Sequence, residues 1–361
     1  MRAEAAAAAR ARQRSAGLRV ALAVAAGLTF DIGTGAVIPF LGAVFATQFL
    51  LGGGPLPFSK ALGMVGLILV VGQAIQLLTG LFSDRPLQLL TLLGLFYLLC
   101  FTAHARGKGG PVVFLCLVVA IMVPLLDLLH ADLDQAMVTI LLHGVASGIG
   151  LSWLAHLVLP DRGAPANAPA TATALESPLA RGIANTAILL GAVTLCLTHS
   201  AFSSALVLPI TVASLLLQLD LAKSARAALG LVAVNLLGGV VASLAFTLVE
   251  LRPSLLLLFL VTLMVGLIFG GRAAGSSSLG KVYGGALTTF LILFGTGLSP
   301  LPASAPESFA TRTGFVILAI AYALCMTTLL WRRPWTAASP QPSPGSRALA
   351  EGGVASQHAE R

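Results

Sequence analysis

Few side chains in this sequence could do chemistry, and the sharpest is Asp31, set in Asp31-Ile32-Gly33-Thr34-Gly35 between two apolar runs. A carboxyl at membrane depth costs about 2.5–3.5 kcal/mol unless it faces a cavity or a partner. Desolvation there favours the protonated acid, which is the chemistry of a proton carrier. In a turn wetted by bulk water the same residue is an ordinary surface acid, and the sequence leaves both readings open. A second polar break, Thr198-His199-Ser200, lies between two later runs, with Ser203 and Ser204 close behind. His199 titrates near neutral pH if modestly perturbed, and is otherwise a hydrated turn histidine. A proline follows each break, Pro39 and Pro209. His143 lies inside another apolar run, where a hydrogen bond to a neighbouring helix is its ordinary role. The candidate path residues are therefore Asp31, Thr34, Pro39, His143, His199, Ser200 and Pro209. Gln73, Gln76 and Asn235 either line a path or serve as amide glue between helices.

Other motifs lead nowhere. Gly275-Ser276-Ser277-Ser278-Leu279-Gly280-Lys281 is most of a phosphate-binding loop, but Val282 stands where a magnesium-holding Ser or Thr is needed. No H-E-x-x-H, G-x-S-x-G or paired-carboxylate constellation occurs. Cys100, Cys116, Cys196 and Cys325 sit far apart within apolar runs, as small packing residues do. The expectation is a chain with no catalytic centre, no metal, no cofactor and no bound nucleotide.

The elements that must position these residues follow from composition. The 361 residues are 57% hydrophobic and 9% charged, with mean hydropathy +0.95. A soluble domain carries roughly a quarter of its residues charged, so lipid is the natural solvent here. The runs are continuous and rich in Leu, Val and Ala, without period-two alternation, which selects helices over barrel strands. They are Leu18–Phe30, Val37–Leu51, Ala61–Phe82, Leu87–Thr102, Pro111–Leu126 and Ala136–Leu159, then Gly182–Thr198, Ala205–Leu219, Ala227–Val249, Ser254–Gly270, Val282–Leu298 and Gly314–Trp331. The fold class is all-α: a polytopic transmembrane helix bundle of about 12 spans. The first two runs share only Leu18–Leu51, and the seventh and eighth only Gly182–Leu219. Two full crossings with a turn need roughly 45 residues, so both pairs are short. Short or Gly/Pro-broken segments at matching places in two halves point to a transporter's binding site.

The net charge of +8 and pI near 9.9 do not indicate nucleic acid, because the cations sit in gaps between the runs. All Lys and Arg fall on one side except Arg85, Arg252 and Arg312, which places both termini in the cytoplasm. The pattern also repeats. Asp84-Arg85-Pro86 opens one run and Leu251-Arg252-Pro253 another, and the basic loop 105–110 corresponds to 271–281. Two tandem six-span repeats would be related by a pseudo-two-fold axis along the membrane normal. The divisions are a cytoplasmic N-tail 1–17, a first repeat 18–160, a linker 161–179, a second repeat 180–333 and a disordered tail 334–361.

The opening Arg19-Val20-Ala21-Leu22, the Ile38-Pro39-Phe40 and Leu208-Pro209-Ile210 steps, and Lys60 and Arg226 before each third span carry a resemblance. Over Gly17–Arg333 the chain resembles the fusaric-acid-resistance and aromatic-acid-exporter superfamily. Larger members have a sizeable cytosolic domain, whereas only a short linker stands here. The resemblance implies a bacterial inner-membrane efflux component for small compounds, aromatic or anionic ones among them, working with a periplasmic membrane-fusion adaptor. The partners expected are thus the lipid bilayer, that adaptor and a second copy in a homo-oligomer, with no nucleic acid. The driving force expected is the proton gradient. A membrane-embedded enzyme acting on envelope precursors, and a non-transporting assembly subunit of a secretion complex, are the alternatives.

Overall fold

The computed structural model describes residues 2–52, 54–107, 110–129, 137–160, 178–198, 207–219, 225–275, 278–299 and 309–331. They form twelve α-helices and no strand among the described residues. The helices are α1 (Arg2–Gly33), α2 (Phe40–Leu51), α3 (Phe58–Phe82), α4 (Pro86–Ala105), α5 (Gly110–Leu129) and α6 (Met137–Val158). They continue as α7 (Pro178–Thr198), α8 (Val207–Leu219), α9 (Ala225–Leu251), α10 (Leu255–Ala273), α11 (Ser278–Gly297) and α12 (Phe309–Leu330).

α1 starts well before the expected Leu18, because the Ala- and Arg-rich opening is made of strong helix formers and carries the helix into the tail. Its other end passes through Asp31 to Gly33, so the first polar break is largely helical. Gly35 adopts φ +73° and closes it. The Ala36 N–H donates to the Asp31 carbonyl (2.8 Å) and the Gly35 N–H to the Ile32 carbonyl (3.1 Å). This crossed pair is a Schellman ending, which glycine supports without a Cβ penalty. Local signals fix other starts. Pro86 occupies the first turn of α4, and the Ser254 hydroxyl accepts the Leu257 N–H at 3.2 Å to cap α10.

Among the described residues seven helices are long and apolar enough to cross a membrane: α1, α3, α4, α6, α7, α9 and α10. α2, α5, α8, α11 and α12 supply shorter apolar stretches among the described residues. The protein is a multi-pass membrane protein by this measure. Burial sorts the helices into two sets. Phe40–Thr47 of α2, Val113–Leu126 of α5, Leu208–Leu217 of α8 and Ala286–Leu293 of α11 are almost wholly enclosed by protein. α3, α4, α9 and α10 instead turn large leucines outward, with Leu77 72%, Leu87 80% and Leu256 69% exposed. Such a surface suits hydrocarbon and would drive association in water.

The shortness expected of each first pair resides in one helix of the pair. α2 has 12 residues and α8 has 13, about 18–20 Å of helix at 1.5 Å per residue. The hydrocarbon core is about 30 Å thick. Both lie inside the protein, where neighbouring side chains can meet helix ends that lipid could not satisfy. α1 packs along α10, α4 along α7, α2 along α6, α3 along α5, α9 along α11, and α8 against α12. Hydrogen bonds tie several seams. The Tyr97 hydroxyl donates to the Ala120 carbonyl (3.0 Å), and the Tyr322 hydroxyl to the Ile188 carbonyl (2.9 Å). The Trp331 indole N–H donates to Asn185 Oδ1 (3.0 Å) beneath the Arg181 guanidinium, 3.6 Å from the ring.

Candidate functional site

Asp31 lies two residues before the end of α1, and the Schellman ending fixes its backbone by using its carbonyl as an acceptor. The residue is only 2% exposed. Its carboxyl points into the junction of α1, α2 and α6. His143 on α6 brings Nε2 to 3.9 Å from Asp31 Oδ1, and its own side chain is 59% exposed. Oδ1 itself has no hydrogen-bond donor among the described residues. The imidazole thus reaches from the open face of α6 to a buried acid. At 3.9 Å the pair is too long for a direct hydrogen bond, and one water or a small rotamer change would connect it.

The sequence builds this junction from small residues. Gly144 and Gly148 are one turn apart on α6 and let α2 come close. A Cβ on Gly148 would stand 2.7 Å from Phe45 Cβ and 3.0 Å from the Ala46 nitrogen, and one on Gly144 2.7 Å from Leu41 Cβ. Facing them, a Cβ on Gly42 of α2 would meet Ser147 Oγ at 2.5 Å and Asp31 Oδ2 at 2.8 Å. His143 and Ser147 are spaced i, i+4 and share one helix side. The junction therefore gathers a carboxyl, an imidazole and a hydroxyl around a glycine that any larger residue would dislodge. Proton exchange between the imidazole and the carboxyl is the chemistry this grouping can do.

The remaining sequence candidates fall elsewhere. Thr34 is exposed and its hydroxyl donates to the carbonyls of Phe30 (3.0 Å) and Asp31 (3.1 Å), so it caps α1. Pro39 is buried as the residue that starts α2, and Pro209 is buried in the first turn of α8, where a missing N–H costs nothing. His199 and Ser200 lie outside the described residues. Gln73 is exposed on α3. The phosphate-loop look-alike follows a helix, α10, and Ser276 and Ser277 lie outside the described residues. Among the described residues no three His, Cys, Asp or Glu side chains group as metal ligands would.

A second polar group joins Asn235, named from the sequence as path lining or amide glue, to Gln48, Ser214, Gln218, Thr288 and Thr289, which were not singled out. Gln48 on α2 donates to Thr288 Oγ1 on α11 (3.4 Å). The Thr289 hydroxyl donates to Asn235 Oδ1 on α9 (2.5 Å), and Asn235 Nδ2 to Gln218 Oε1 on α8 (3.4 Å). Gln218 also donates to Ser214 Oγ (2.8 Å) and lies against Gly285. Gln48 follows Pro39 at the same distance as Gln218 follows Pro209, a signal present in the sequence. Both short helices thus present a glutamine to α11.

The family model described as "Protein of unknown function (DUF2955)" matches residues 16–151. That stretch runs from within α1 into α6 and contains Asp31, Gly42, His143 and Ser147. No curated protein and no solved structure matches the chain.

Proposed function

We propose that this chain is an inner-membrane transporter that exports small compounds, aromatic or anionic ones among them, at the expense of the proton gradient. The observation that carries the reading is the buried Asp31 carboxyl beside a His143 that is open on its other side. An acid enclosed in a membrane bundle is a functional group by default, because burial without a role is selected against on cost. His143 takes or delivers the proton at the open face, and Asp31 holds it at the α1, α2 and α6 junction. Protonation changes the charge there from a carboxylate to a neutral acid and alters how tightly the short helix α2 seats on α6.

The helix packing supports twelve spans arranged as two tandem six-span repeats. Advancing every helix by six turns α1–α10 into α7–α4, α2–α6 into α8–α12, α3–α5 into α9–α11 and α2–α11 into α8–α5, all of them packed pairs. An even span number with the Lys and Arg placement supports a reading with both ends in the cytoplasm. The two short helices α2 and α8 then occupy matching interior places, as the central segments of a transporter do. The resemblance to the fusaric-acid-resistance and aromatic-acid-exporter superfamily adds the substrate class, a periplasmic adaptor and a homo-oligomer to this reading. In it the chain works without a cofactor and without a catalytic centre of its own.

The test is proton release from everted vesicles on addition of a panel of aromatic carboxylates, followed with a pH-sensitive dye. Vesicles holding this chain should respond to at least one compound, and Asp31→Asn vesicles with equal protein should not. An equal response from the Asn variant would remove Asp31 from the mechanism.

A further inference from the structure

Near its N-terminal end α1 carries Arg10, Gln13, Arg14 and Gly17 at i, i+3, i+4 and i+7, one side of the helix. That side meets α10 at Leu267 and Gly271, and between them lies a groove of about 310 Å³. The helices nearly touch at its floor, since a Cβ on Gly17 would stand 2.5 Å from Gly271 Cα. A Cβ on Gly271 would meet nothing within 4 Å, so this position opens into the groove. Gln13 Nε2 donates to the Gly271 carbonyl (3.2 Å) and ties the wall to the floor.

The groove has two chemically different ends. Arg10 and Arg14, both exposed and one turn apart, supply positive charge, and among the described residues the groove's lining holds no carboxylate. Arg272 nearby is turned instead onto Tyr283, with its guanidinium carbon 5.2 Å from the ring centroid. At the other end stand Leu18 and Leu267, 36% and 44% exposed, and the outward face of α10 continues through Met264 and Leu260. A soluble anion would use the arginines and leave the leucines idle. A phospholipid with an anionic headgroup uses both, its phosphate on the guanidinium groups and its acyl chains along α10.

We propose that the Arg10, Arg14 and Gly271 groove is a binding site for one anionic phospholipid headgroup at the α1–α10 seam. It rests on the membrane reading alone and is independent of whether the chain transports anything. Basic grooves between membrane helices at the cytoplasmic end are suited to such headgroups, and the charge placement puts this one there.

The experiment is native mass spectrometry of the full chain in detergent, titrated with phosphatidylglycerol and with phosphatidylcholine of the same chains. The wild type should retain one phosphatidylglycerol in preference to phosphatidylcholine. Arg10→Gln with Arg14→Gln should weaken that binding about thirty-fold. Gly271→Leu, which fills the groove and leaves both charges, should weaken it comparably. Should Gly271→Leu fail to elute as a single species, the exposed arginine pair decides the matter. Arg85→Gln with Arg252→Gln, far along the chain, should bind as the wild type does. Equal retention of the two lipids, an unaffected well-folded Gly271→Leu protein, or displacement of the lipid by millimolar inorganic phosphate would each overturn the site.

Discussion

At Asp31, burial and a missing donor act together: Oδ1 is enclosed and the His143 imidazole stands 3.9 Å away, beyond hydrogen-bond reach. Removing an uncompensated buried charge is neutral or stabilising, whereas removing one member of a tight ion pair destabilises. Asp31→Asn should therefore melt at the same temperature as the wild type or higher, while losing proton-coupled flux. A clear drop in melting temperature with flux intact would mark Asp31 as a structural residue. Gly42 gives a sharper geometric test. Gly42→Ala pushes a methyl into Ser147 Oγ and Asp31 Oδ2, so it should slow transport at normal protein levels. Adding Ser147→Gly should restore part of the rate, as measured in the same vesicles. Tyr97 is fully buried and its hydroxyl serves one carbonyl, so Tyr97→Phe should cost about 1 kcal/mol, read from thermal unfolding in detergent. Asp31 stood out in the sequence as an acid among apolar residues. His143 stood out too, as a histidine inside an apolar run, but its pairing with Asp31 did not, because nothing local to α1 states which distant helix its end will face.

At the level of elements, small residues decide which helices approach. Gly148→Leu would drive a side chain into Phe45 and the Ala46 backbone and should cost about 1–3 kcal/mol or displace α2. Its melting temperature, against that of a Gly150→Leu control where no atom lies within 4 Å, checks this. The positions of the helices were legible because a lipid-soluble run must pair its own backbone. Their ends were less so. α1 outran its expected start because alanine and arginine favour helix in the polar tail, and it outran its expected end because Gly35 closes it only after Asp31. The shortness of the first two runs and of the seventh and eighth was visible, but its assignment to α2 and α8 depends on which helices neighbours enclose. The matched Gln48 and Gln218 were readable once Pro39 and Pro209 were aligned. Their convergence on α11 follows from packing that no spacing encodes.

On the scale of the whole molecule, two of the interior helices, α2 and α8, are short, and packed pairs recur when each helix is advanced by six. That arrangement makes transport through the α2 and α8 region geometrically natural only if both short helices cross the bilayer. Paired reporter fusions, one type active in the cytoplasm and one outside it, test this directly at the α2–α3 turn near Leu56, at the connector 161–179 and at the C-terminus. With both short helices crossing, all three should lie in the cytoplasm and fusions at Asp84–Pro86 outside. A fusion near Leu56 reporting from outside would make α2 a hairpin rather than a crossing, and termini in different compartments would break the twelve-span arrangement altogether.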